Sequence, residues 1–123
     1  MEFNTEDIQT IKGNTPSKSN CYKIVNFNGH ASLAKTPALK KYEESFVWQC
    51  DKYRNKNIDS TFEFYIDVYY PSKRSDLDNS LKVVLDSLQR IKAIKNDNNC
   101  AKIVAQKFID KENPRIEFYI KEL

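Results

Sequence analysis

Between residues 61 and 70 apolar Phe62, Phe64, Ile66, Val68 and Tyr70 alternate with Glu63, Tyr65, Asp67 and Tyr69. A period of two predicts a strand with one face in a core. Pro71 ends it, because proline has no N–H to give to a ladder. Downstream, Leu77, Leu81, Val84, Leu85, Leu88 and Ile91 recur at a period of 3.6 and predict an amphipathic helix. Over residues 37 to about 55, Leu39, Tyr42, Phe46, Cys50 and Tyr53 also recur at helical intervals, joined by Val47 or Trp48, and Thr36-Pro37 supplies a cap and first turn. Trp48 is expected in the core. Shorter strands are expected at 8–12 and 22–27, the second closed by the turn signal Asn28-Gly29, with His30 in a surface loop. Two more are expected at 103–109 and 115–120, joined by Asp110-Lys111-Glu112-Asn113-Pro114, a loop of hairpin length. The order β-β-α-β-α-β-β predicts an α+β fold, a mixed sheet backed by two helices.

The chain has 123 residues, which suits one domain over 1–123 and leaves no room for two cores. Its 40% hydrophobic and 30% charged residues are those of a globular protein, and no stretch approaches the roughly 18 apolar residues of a membrane span. The first seven residues lack a basic segment leading into an apolar one, so the expected location is the cytoplasm. Cys21, Cys50 and Cys100 are odd in number and widely spaced, which argues against a disulfide framework or a zinc site and for free, mostly buried thiols. Lysine far outnumbers arginine and asparagine is frequent, a composition that hints at an AT-rich bacterial or phage source. The net charge of +3 says little alone about a polyanionic partner; the distribution of charge says more.

That distribution centres on Lys73-Arg74-Ser75-Asp76-Leu77-Asp78-Asn79, then Lys82 and Asp86, then Asp97. Two carboxylates one residue apart can converge on one hard cation, and a third from a later loop would complete an oxygen-rich site for Mg²⁺ or Mn²⁺. Asp76 and Asp78 equally suit the N-cap and first turn of the helix, where they would offset unpaired N–H groups. Asp78, Lys82 and Asp86 follow one another at i, i+4 and i+8, a polar row beside the apolar stripe that also reads as an ion-pair ladder. Asp97 lies beyond the helix, so it reaches the first two acids only if residues 92–99 fold back along it. Lys73 and Arg74 are placed to grip backbone phosphates, with Lys18, Lys23, Lys102 and Lys107 as weaker candidates. Tyr69 and Tyr70 suit either stacking on an unpaired base or a place in a core or dimer face.

The segment Ser75-Asp76-Leu77-Asp78-Asn79-Ser80-Leu81-Lys82-Val83-Val84-Leu85-Asp86-Ser87-Leu88, followed by Asn96-Asp97, resembles the signature of the RusA family of Holliday-junction resolvases. Thr15-Pro16-Ser17-Lys18-Ser19-Asn20 is similar to that family's N-terminal loop, and Asn113-Pro114-Arg115-Ile116-Glu117-Phe118 to its closing strand. The resemblance implies a RusA-like fold and a homodimer that cuts four-way DNA junctions with Mg²⁺, Mn²⁺ being a further candidate. It implies that Asp76, Asp78 and Asp97 hold the metal, that Lys82 is the essential lysine, and that Asp86 and Asn79 support the site. Asn96 departs from the pattern where the family has the first of two aspartates; Ser87 and Cys100 stand where alanine and an aliphatic residue are usual. A catalytically weak or inactive branched-DNA binder is the alternative.

Overall fold

The computed structural model describes residues 5–16 and 21–123. Its elements are β1 (Gln9–Lys12), β2 (Tyr22–Phe27), β3 (His30–Lys35), α1 (Pro37–Gln49), β4 (Phe62–Tyr70), α2 (Leu77–Arg90), β5 (Cys100–Ile109) and β6 (Arg115–Glu122), with single 3-10 turns at Thr5–Asp7 and Asp97–Asn99. Four strands form a mixed sheet in the order β1-β6-β4-β5, in which only β4 and β5 run parallel; β2 and β3 form a separate two-stranded sheet. The α+β class and the element order follow the expectation.

Phe62, Phe64, Ile66, Val68 and Tyr70 of β4 point alternately into one core and are all almost fully buried. Ile116, Phe118 and Ile120 of β6 and Ile11 of β1 extend that layer, and Tyr42 and Phe46 of α1 with Val84, Leu85 and Leu88 of α2 close it. Thr36 caps α1 as expected, its hydroxyl accepting from the Leu39 N–H at 3.3 Å. Two parallel strands cannot be joined by a tight turn. α2 makes the β4-to-β5 crossover, and its N-terminus therefore stands just past the C-terminal end of β4.

The structure corrects four expectations. Residues 103–109 and 115–120 are strands but not a hairpin, because β4 lies between β5 and β6. A short loop limits only how far apart strand ends lie. α1 stops at Gln49, not near residue 55, and Tyr53 packs from the following loop with its hydroxyl donating to the Asp7 carbonyl. Trp48 is 84% exposed. The helix buries Leu39, Tyr42, Glu43 and Phe46, and residue 48 falls on the opposite side, leaving Val47 partly buried in its place. Finally, His30 is exposed but opens strand β3 and lies in no loop: Asn28 (φ 50°) and Gly29 (φ 80°) form the tight turn, with both residues in the left-handed conformation that such two-residue turns need.

Candidate active site

Ser75 precedes α2, Asp76 is its N-cap and Asp78 lies in its first turn. The Asp76 carboxylate makes no capping hydrogen bond, so it is not committed to the helix end as the capping reading required. What secures this end of α2 comes from the sheet. The buried Tyr70 hydroxyl donates to the Asp76 carbonyl at 3.0 Å and is hydrogen-bonded to the fully buried Ser80 hydroxyl. Burial pushes the Tyr70 phenol pKa up, the Ser80 hydrogen bond pulls it down, and the nearby Asp78 and Asp76 carboxylates raise it further. From β5, the Lys107 ammonium donates to the Lys73 carbonyl at 2.8 Å and to the Ser75 carbonyl. The loop that presents the acids is thus pinned from two strands. Tyr70 is in the core and its hydroxyl is spent here; Lys107, a weak candidate for phosphate binding, is spent likewise.

Along the exposed flank of α2, the Lys82 ammonium lies 2.9 Å from Asp86 and 3.9 Å from Asp97. The Asp86 hydrogen bond, with the Asp97 charge in support, raises the Lys82 pKa above the ordinary lysine value. Lys82 is therefore a fixed cation at neutral pH. Asp97 gets there because residues 91–99 turn back: Ile58 bridges Ile94, the Ala93 N–H reaches the Leu88 carbonyl at 2.9 Å, and the Asp97 N–H donates to the Gln89 side chain at 3.1 Å. Asn96 caps the 3-10 turn, its side-chain oxygen accepting from the Asn98 N–H at 3.0 Å. The structure thus brings Asp97 to Lys82, one helical turn, roughly 6 Å of rise, from Asp78.

Among the described residues, no three acidic, histidine or cysteine side chains are gathered to hold one ion. In donor chemistry the fit is good: Asp76, Asp78 and Asp97 offer the carboxylate oxygens that hard divalent cations take. In arrangement, Asp97 is turned to Lys82. Lys73 and Arg74 are exposed on the loop before the acids, whereas Lys18 lies outside the described residues. Ser87 is buried where the related pattern has alanine, and its hydroxyl donates to the Val83 carbonyl one turn back at 2.8 Å, which satisfies it. Cys21 and Cys50 are buried free thiols and Cys100 is half-buried.

Sequence reasoning missed the second wall of this site. The base of the β2-β3 hairpin and α1 face α2 across an open cavity of about 440 Å³, lined by Tyr22, Lys35, Leu39 and Glu43 on one side and by Asp78, Asn79, Lys82, Val83 and Arg90 on the other. Glu43 is buried; Lys35 donates to both its oxygens at 2.9 and 3.1 Å, and Arg90 lies 3.6 Å away. A glutamate on the core-facing stripe of α1 was the one legible signal for this wall.

Fold and site together define a small α+β domain with an acid- and lysine-lined helix flank at the end of its central strand. The family model for endodeoxyribonuclease RusA matches residues 15–121, nearly the whole chain, and the chain belongs to that family. A search of curated proteins gives no match. The family is one of Holliday-junction endodeoxyribonucleases that bind branched DNA. Among the described residues no helix is long and apolar enough to cross a membrane.

Proposed function

We propose that the protein is a metal-dependent, structure-specific endodeoxyribonuclease that acts in the cytoplasm as a homodimer, resolving four-way DNA junctions by paired hydrolysis of two phosphodiesters. The observation that carries this reading is the return of Asp97 to Lys82 on the same helix that begins with Asp76 and Asp78. Asp76, Asp78 and Asp97 would hold Mg²⁺ or Mn²⁺, and loading needs the Asp97 side chain to turn from Lys82. The ion supplies a lowered water pKa and a polarised phosphoryl oxygen. Lys82, fixed by Asp86, places a point charge beside a non-bridging or leaving oxygen of the scissile phosphate. Asn79 lines the cavity beside it and supports the site. Lys73 and Arg74, with Lys18, bind backbone phosphates and supply affinity without base information.

Two sites related by a two-fold axis match the approximate two-fold symmetry of a four-way junction, which is the physical reason for a dimer. A catalytically weak or inactive junction binder is the second reading, favoured by Asn96, which places a neutral capping side chain beside Asp97. A gel assay on a mobile four-way junction decides between them. Mg²⁺ gives paired nicks, while EDTA or Asp97→Asn removes them with junction binding retained. Binding without nicks in any divalent metal establishes the second reading.

A further inference from the structure

At about 440 Å³ the cavity between the hairpin and α2 is within the range of small-ligand sites, roughly 300–1,000 Å³. Its walls are of three kinds. Leu39 of α1 is buried and Val83 of α2 half-buried, and they supply the apolar lining; Tyr22, 48% exposed, offers a ring; Asn79 offers an amide that can both donate and accept. Lys35 and Arg90, from opposite sides, share the single buried carboxylate of Glu43, two cations to one anion at that end, while Lys82 is met by Asp86 and Asp78 elsewhere in the lining. The cavity is also lined by Asp78, assigned to the metal, and Lys82, assigned to the scissile phosphate.

We propose that this cavity is a nucleotide pocket that takes one unpaired base of branched DNA, the base next to the phosphate being cut. The base stacks on Tyr22 between apolar Leu39 and Val83, its polar edge meets Asn79, and its own phosphate lies toward Lys35 and Arg90. Only a base already freed from its stack enters cheaply, so the pocket couples cutting to the branch point, where pairing is interrupted. Glu43 is a positioning residue: it ties β3, through Lys35, to α1 and α2 and so holds the two walls at a fixed separation. The inference rests on the proposed nuclease reading and adds to it a specific subsite.

The test walks a single abasic nucleotide through the strand around the cut in a four-way junction, measuring single-turnover cleavage and, with Ca²⁺ in place of Mg²⁺, the junction Kd. Wild type should lose roughly tenfold in rate or affinity at one position only, the size of one lost base–aromatic stack. Tyr22→Ala should show a similar loss on the intact junction and no further loss at that position, and Tyr22→Phe should behave as wild type. Tyr22 is half exposed, so its truncation leaves the core untouched. Equal rates at all positions, or losses from Tyr22→Ala and the abasic site that multiply, overturn the pocket while leaving a working nuclease. A chain that binds junctions but cuts none still reports through Kd, and a flat Kd profile overturns the pocket there too. A chain that neither binds nor cuts them overturns both readings.

Discussion

Asp78 and Tyr70 do opposite kinds of work within one turn of α2. Asp78 is an exposed carboxylate beside a row of charge, so replacing it with asparagine removes one negative charge at little structural consequence. Asp78→Asn is expected to lower junction cleavage by at least about 10²-fold, while binding stays equal or tightens because repulsion of the phosphates falls; unchanged cleavage would count against the site. Tyr70 is buried, and its hydroxyl satisfies both Ser80 and the Asp76 carbonyl. Tyr70→Phe leaves those two groups short of a partner, and a loss of about 1–3 kcal/mol in urea unfolding is expected. Sequence alone showed Asp76, Asp78 and Lys82 because local spacing carries them. It could not show that Asp97 reaches Lys82, since that depends on the Ala93 and Ile58 backbone contacts, nor that Tyr70 secures the helix start, since a strand residue's side-chain partner is a tertiary fact.

Elements whose pattern is strong and local match the expectation most closely. β4 buries one face completely and α2 most of its apolar stripe, Leu77 and Leu81 being half-buried, so their periods of two and 3.6 are plain in the sequence. β3 does not: His30-Ala31-Ser32-Leu33-Ala34-Lys35 is exposed on both faces, and no buried side imposes a period. The sheet position of β4 was hidden for a different reason, because its pairing with β5 and β6 spans distant parts of the chain. That central position has an electrostatic consequence on the sheet face away from the helices. Asp67 of β4 stands directly opposite Glu117 of β6, a like-charge pair across strands. Partial burial, with the Glu117 charge added, holds the Asp67 pKa above the ordinary aspartate value. A carboxyl with a raised folded pKa favours the folded state while protonated, and that contribution is lost as pH rises through its folded value. Asp67→Asn is therefore expected to raise the melting temperature at pH 7 and to make little difference near pH 3. Equal midpoints for the two proteins at pH 7 would remove this account of the strand pair.

For the molecule as a whole, the decisive question is whether two active sites act on one junction. A monomer carries one α2 flank and can make one nick per encounter. A C₂ dimer carries two flanks facing opposite strands and makes both nicks before release. Refolding wild type together with an equal amount of Asp78→Asn tests this directly, provided each alone sediments at twice the 14.4 kDa chain mass. Random pairing then gives about half of all dimers one working and one silent site. On a supercoiled plasmid with an extruded cruciform, wild type should yield mostly linear product, because both strands are cut in one binding event. The mixed dimers should instead leave nicked circles, so the nicked fraction rises well above that of wild type diluted twofold. If the chain worked as independent monomers, the silent subunit would only halve the rate, and the ratio of linear to nicked product would not change.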